Sequence, residues 1–264
     1  MLLREVEYVK PGSVAEALEL LAANDGARAL AGGQTLINVM KARAASPDML
    51  VDLNGLPELK GIELASDGTL AIGAMTTYTE LMRSAEAKAR PILGEVCATI
   101  ADVQVRNRGT IGGNVCSNDP TNHLPPLMVA VGATMTVLGA AGAREVPAEE
   151  FFLGVYMTAV GPGELLTKIS IPAGKKDGFA AVTLGADGTC LANAAATVNG
   201  SVRVALGCVD AVPVVVTAGS PDGIADAVRS AGLDPPSDVH ASAEYRLHLT
   251  TVVATRAAEE AASR

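Results

Sequence analysis

Residues 109–126 read GTIGGNVCSNDPTNHLPP. Adjacent glycines, Gly112 and Gly113, follow Gly109-Thr110-Ile111, and a polar run comes next: Asn114, Cys116, Ser117, Asn118, Asp119, Asn122 and His123. A stretch of the same composition lies upstream, AGGQTL at 31–36. In both, an amide side chain directly follows the glycine pair (Gln34, Asn114) and a hydroxyl stands close by (Thr35, Thr110). Adjacent glycines permit φ > 0 and leave no Cβ over the backbone N–H groups. Successive N–H groups can then turn toward one anion as a nest. Each pair is expected where a strand meets a loop or helix. The residues leave two readings open: two tight turns, or a clasp holding the two phosphates of a dinucleotide from opposite sides. A clasp of this kind needs no lysine, since backbone N–H groups can carry an anion site.

Other chemistries compete for the same residues. Cys116, Asp119 and His123 are the residue types of a metal site, and Cys116 with His123 those of a nucleophile and base. Pro120, Pro125 and Pro126 argue against the regular helix that would put Asp119 and His123 on one face. No third orienting group accompanies the Cys–His pair. No GxGxxG opens a strand–helix unit and no GxxxxGK[ST] occurs.

The rest of the chain narrows the class. Its 264 residues suffice for one large domain or two to three small ones. The 20 Lys and Arg are scattered and the formal charge is −9, which speaks against nucleic acid as a partner. No apolar run is long enough to span a bilayer, so the protein is not expected to be integral to a membrane. Arg4, Glu5, Glu7 and Lys10 interrupt the start where a signal core would lie, and the expected compartment is the cytoplasm. Cys97, Cys116, Cys190 and Cys208 form no CxxC pair, which excludes an iron–sulfur site built within this chain; they read as free thiols. With no Trp and 27 glycines, the core must rely on close backbone approach.

Along the chain, 13–23 reads as a helix opened by a Ser13–Glu16 capping box. Residues 27–31 and 49–53 read as strands, and a helix is expected near Thr35. Residues 61–74 carry a hairpin turned at Ser66-Asp67-Gly68. Residues 76–90 read as one helix capped by Thr76 or Thr77, and 92–100 as a second helical run. A buried helix and strand follow over 127–139, then a strand at 163–172 stopped by Pro172. GKKDG at 174–178 is the best boundary. Beyond it, two strands pair through Asn199-Gly200, a helix ends at Gly232, and a last helix closes the chain. His240 and His248 are expected at the surface.

Several of these segments, taken in order, resemble the FAD-binding medium subunit of the molybdenum hydroxylases, typified by aerobic carbon monoxide dehydrogenase and xanthine dehydrogenase. They are AGGQTL at 31–36, VDLNGLPELKGI at 51–62, AIGAMTTYTEL at 71–81, VRNRGTIGGN at 105–114 with Asp119-Pro120 behind it, and GELLTKISIP at 163–172. The resemblance covers nearly the whole chain. It implies an α+β chain: a two-subdomain FAD-binding fold of the vanillyl-alcohol-oxidase-like type over 1–55 and 56–173, then a smaller α+β C-terminal domain over 178–264.

The resemblance also implies a site. Ala31, Gly32, Gly33, Gln34, Thr35 and Leu36, with Thr110, Ile111, Gly112, Gly113 and Asn114, would line the pyrophosphate and ribityl chain. Ile100 would lie beside the cofactor and Leu166 near the flavin ring. His123 replaces an Asp common in the family pattern DPxxD; a neutral imidazole can also accept a hydrogen bond. A basic motif usual after the boundary is missing from FAAVTLGADGTC at 179–190, and Lys175 or Lys176 stands nearest to replace it. No catalytic side chain or metal ligand is implied.

The implied activity is electron transfer as one subunit of an oxidoreductase. Non-covalent FAD would take electrons from two [2Fe–2S] clusters on a small partner subunit and pass them to an external acceptor. Substrate chemistry would belong to a large subunit holding a molybdenum cofactor, in a heterotrimer or its dimer. The rival expectation is a stand-alone FAD-dependent oxidoreductase or a non-catalytic flavin-binding module. The stretch over 178–264 shows no polar cluster that would serve such an enzyme as a substrate site.

Overall fold

The computed structural model describes residues 2–264 except 175, 186 and 187. The first layer runs β1 (Glu7–Val9), α1 (Val14–Ala23), β2 (Ala27–Leu30), α2 (Leu36–Lys41) and β3 (Met49–Asp52). Its strands are all parallel, in the order β1-β3-β2. Parallel neighbours need crossovers, which α1 and α2 supply. Ser13 caps α1 by accepting from the Glu16 N–H at 3.2 Å. The expected box closes differently on its other side: the Glu16 carboxylate accepts from the Gly12 N–H at 2.6 Å, one residue earlier than Ser13. Ala17, Val51, Leu53, Leu56 and Leu59 form the core beneath this layer, joined by Met75 and Leu165 from the next.

The middle of the chain holds β4 (Ile62–Leu64), β5 (Leu70–Gly73), α3 (Tyr78–Arg83), α4 (Ile92–Thr99), α5 (Val103–Arg108), α6 (Ile111–Ser117) and α7 (Leu124–Ala130). It continues with β6 (Thr134–Gly139), β7 (Gly142–Pro147), α8 (Ala148–Phe151), β8 (Phe152–Gly154), β9 (Met157–Thr158) and β10 (Leu165–Ile171). Five strands make an antiparallel sheet ordered β4-β5-β10-β6-β7. Ile72, Met135, Val137 and Ile169 of this sheet share one core with Leu81, Leu93, Val96, Leu127 and Met128 of the helices.

Thr77, not Thr76, caps α3, and the Glu80 carboxylate accepts in return from the Thr77 N–H at 2.7 Å. The single helix expected over 76–90 breaks at Ser84, whose hydroxyl accepts from the Ala87 N–H at 3.1 Å and opens a separate 3₁₀ turn. Pro125 and Pro126 sit in the first turn of α7, where a missing N–H costs nothing.

The chain ends in an antiparallel meander, β11 (Asp177–Leu184), β12 (Thr189–Asn199), β13 (Ser201–Gly207) and β14 (Val214–Ala218), followed by α9 (Ile224–Ser230) and α10 (Ala243–Ser263). One face of this sheet meets α10 through Ala192, Ala194 and Ala196 against Val253, Ala254, Ala257 and Ala258. Small residues let helix and sheet approach closely, and a Cβ on Gly178 would strike the Ala257 carbonyl. The other face joins the middle core through Ala195 and Ala205. A buried ion pair bolts the two bodies together. The Arg90 guanidinium donates to both Asp177 carboxylate oxygens at 2.8 Å and to the Pro172 carbonyl at 2.5 Å.

Candidate functional site

The chain leaves β2 at Leu30 and enters α2 at Leu36. Between them Gly33 takes φ +73°, a left-handed conformation that disfavours any Cβ. Among the described residues the N–H groups of Gly32, Gly33, Gln34 and Thr35 find no acceptor. The carbonyls behind them are held: Asn54 Nδ2 donates to the Ala31 oxygen at 3.0 Å, and Gln34 Nε2 to the Gly32 oxygen at 3.2 Å. Thr35 is exposed and its hydroxyl caps nothing. This loop is a built row of free donors.

The second glycine pair differs in kind. It lies not after a strand but between two helices, in the first turn of α6. Every N–H there is already used. Ile111 donates to the Thr76 carbonyl at 2.9 Å, Gly112 to the Ala74 carbonyl at 2.9 Å, Gly113 to Thr110 Oγ1 at 3.0 Å and Asn114 to the Thr110 carbonyl at 3.1 Å. The expected nest is therefore absent from this loop. Its glycines serve close packing instead: a Cβ on Gly112 would lie 2.5 Å from the Ala74 oxygen. What this loop presents is side-chain chemistry. Asn114 is buried, its Nδ2 donates to the Tyr78 hydroxyl at 2.9 Å, and its Oδ1 has no partner. Burial pushes the Tyr78 hydroxyl far above its usual range, so it stays protonated.

The two loops touch. A Cβ on Gly32 would collide with the Arg108 carbonyl and come within 2.9 Å of Gly109 Cα, and one on Gly113 would lie 3.4 Å from Ala31 Cβ. Residues 31–36 and 109–114, far apart in sequence, thus pack directly against each other.

The outlying residues fall elsewhere. Ile100 ends α4, and its carbonyl accepts from Arg106 Nη1 at 2.9 Å, which ties it to the helix feeding the second loop. Ala101 beside it holds a left-handed φ of +42°. Leu166 is buried in β10, the strand against which α6 packs. His123 is buried and its ring meets the last sheet: Phe179 at 5.2 Å between centroids and Asn193 Nδ2 3.3 Å from Nδ1. Among the described residues no hydrogen bond joins that ring to either glycine loop. Burial pushes the Cys116 thiol up to about 12, leaving it a poor nucleophile. Lys176 is exposed just before β11, and Lys175 lies outside the described residues.

Three residues that support these loops gave no separate signal in the sequence: Tyr78, Asn54 and Asp52. Asp52 Oδ1 accepts from Asn54 Nδ2 at 2.6 Å and from the Asn54 N–H at 3.0 Å, while its Oδ2 accepts from the Tyr8 hydroxyl. Burial pushes the Asp52 carboxyl up, but bonds from Tyr8 and Asn54, helped by Lys10, more than offset it and leave the group below its usual range.

A parallel three-stranded layer stands beside an antiparallel five-stranded one, with free backbone donors in the turn after β2, an arrangement able to take a phosphate-bearing cofactor. Comparison with known proteins sharpens that class. The profile of the family described as FAD binding domain in molybdopterin dehydrogenase matches residues 4–174. The glyceraldehyde dehydrogenase medium chain of Sulfolobus acidocaldarius is 34% identical over 98% of this chain and 99% of its own length. The carbon monoxide dehydrogenase medium chain of Afipia carboxidovorans is 38% identical over 98% of this chain and 97% of its own. A solved carbon monoxide dehydrogenase from Hydrogenophaga pseudoflava superposes with a TM-score of 0.91 at 34% identity, covering 100% of this chain and 99% of that one. The chain belongs to this family of FAD-binding domains of molybdopterin dehydrogenases. Among the described residues no helix is long and apolar enough to cross a membrane.

Proposed function

We propose that the chain binds one FAD non-covalently where residues 31–36 meet residues 109–114 and acts as the electron-transfer medium subunit of a molybdenum-containing hydroxylase. The observation that carries the reading is the row of four unpartnered N–H groups at 32–35, lying against the glycine wall of the second loop. Donors in that number suit a diphosphate. The orphaned Asn114 Oδ1 would accept from a hydroxyl of the same ligand. Ile100, Leu166 and His123 are proposed as its outer contacts, on family likeness.

FAD, when bound, supplies both one- and two-electron redox chemistry. The protein's part is to hold it, exclude water from one side and present it to partners. No side chain is required as acid, base or nucleophile. The proposed partners are a large subunit with the molybdenum cofactor and a small one with two [2Fe–2S] clusters, in the cytoplasm. The proposed divisions of the chain are 1–55, 56–173 and 178–264.

The hairpin β8–β9 leaves Leu153, Val155, Tyr156 and Met157 exposed. It is fastened to the end of α6: Asn118 Nδ2 donates to the Gly154 carbonyl at 2.7 Å, and the Tyr156 N–H to the Asn118 carbonyl at 3.1 Å. The hairpin is thus mechanically continuous with the helix that begins at the second glycine pair.

Acid precipitation of the purified protein should release all yellow colour, with FAD identified by mass spectrometry. Colour retained in the pellet defeats non-covalent binding, and FMN in place of FAD defeats the diphosphate clasp. In the native complex, removing this chain should leave substrate able to reduce the iron–sulfur centres while turnover with the physiological acceptor falls sharply. Unchanged turnover would defeat the electron-transfer role.

A further inference from the structure

We propose that Asn54, oriented by Asp52, is a positioning residue that aims the free donors of the first loop without touching the ligand. The inference rests on the reading of that loop as the diphosphate clasp. A peptide unit is planar and trans, so its C=O and N–H point in opposite directions. Anchoring the Ala31 carbonyl therefore aims the Gly32 N–H the other way. Asn54 Nδ2 makes that anchor at 3.0 Å, across 23 residues of sequence. The Gln34 amide does the same to the next plane through the Gly32 carbonyl, at 3.2 Å, and so aims the Gly33 N–H.

Two successive planes held from behind leave two successive donors fixed in direction. Glycine alone could not do this, because its freedom at φ lets the planes rotate. Asn54 is itself held. Its amide nitrogen also donates to Asp52 Oδ1 at 2.6 Å, and its backbone N–H donates to the same oxygen at 3.0 Å. The opposite Asp52 oxygen is taken by the Tyr8 hydroxyl, and Lys10 Nζ lies 4.0 Å from it. The anchor runs from Asp52 at the end of β3, through Asn54, to the carbonyl of Ala31, while Tyr8 of β1 braces the far side of Asp52.

The test compares full-length wild type, Asn54→Ala, Asn54→Asp and Tyr8→Phe by FAD titration of the cofactor-stripped protein, alongside its melting temperature. Asn54→Asp keeps the shape but loses the amide donor. Both Asn54 variants should bind FAD about tenfold more weakly, the worth of one anchoring hydrogen bond. Tyr8→Phe removes a bond to the same carboxylate but leaves the grip on Ala31. It should lower the melting temperature and leave FAD affinity within about twofold, a change of under half a kcal/mol. Wild-type affinity in Asn54→Asp, or a loss of affinity in Tyr8→Phe as large as in Asn54→Ala, overturns the inference.

If wild type takes up no FAD, the clasp reading itself fails. The anchor is then read from ¹⁵N relaxation of residues 31–36. Raised mobility in Asn54→Ala supports it, and unchanged order overturns it.

Discussion

Gly32-Gly33 and Gly112-Gly113 are the same two letters put to opposite uses. The first pair sits in a loop whose N–H groups are all unspent. The second sits in a helical turn whose N–H groups are all spent. Only Gly33 of the four needs a left-handed φ. Gly32 and Gly112 are glycines because another backbone runs where a Cβ would be. One loop is therefore a donor surface and the other a wall, and a substitution should reveal which by what it damages.

The largest effect is expected from Gly32→Ala, because it strikes both loops together. The new Cβ meets the Arg108 carbonyl, which is backbone and cannot rotate away. Overpacking of this kind costs about 1–3 kcal/mol, which if borne wholly by the bound state is about 5- to 150-fold in FAD affinity. Titration of FAD into the stripped protein checks it, and near-normal affinity would mean the loops do not meet as described.

Gly113→Val comes next and separates donor from wall. Its Cβ would press on Thr110 Oγ1 at 2.9 Å and approach Ala31 at 3.4 Å. Melting temperature and FAD affinity should fall in step, because the damage passes through α6. Affinity lost with the melting temperature intact would make the second loop a direct phosphate binder after all. Thr110→Ala should be milder, costing about 1 kcal/mol of stability for a lost helix cap. FAD affinity should change by less than the stability does, as read by calorimetry and titration.

The smallest effect concerns pH and belongs to the first loop alone. Asp52 is held below the usual carboxylate range, so its contribution is complete above about pH 4 and lost as pH falls through the lowered folded value. FAD retention in wild type should therefore fall off in that acid range. Asp52→Asn, which cannot titrate there, should show a flatter profile. Identical profiles would remove Asp52 from the support of the loop.

The strands, the β12–β13 hairpin and both glycine loops were legible because their signals are local: alternation, Asn-Gly, adjacent glycines. The wall function of Gly112 was not, because it depends on Ala74, which lies 38 residues earlier. Asn54 and Asp52 stood in the quoted stretch VDLNG, yet polar residues before a glycine look like turn formers, and indeed Asp52 does cap the turn. Their second task appears only once Ala31 lies beside them. His123 likewise carries no mark of its tie to Asn193, which sits 70 residues on. Gly207 looks inert in sequence, but a Cβ there would strike the side-chain amide oxygen of the buried Asn193. The break at Ser84 was lost because a run of good helix formers hides one hydroxyl able to start a new turn.

The Arg90–Asp177 pair sets a limit on how this protein can be shortened or recombined. The family profile stops at residue 174, just short of Asp177. In the whole chain Arg90 is 3% exposed and its carboxylate partner is Asp177, which a chain cut there would lack. Stranding a buried charge typically costs about 3–5 kcal/mol, a large share of the stability of an ordinary domain. The last sheet is thus less an appendix than a keystone: grafts that exchange it between relatives must carry both halves of the pair, or neither.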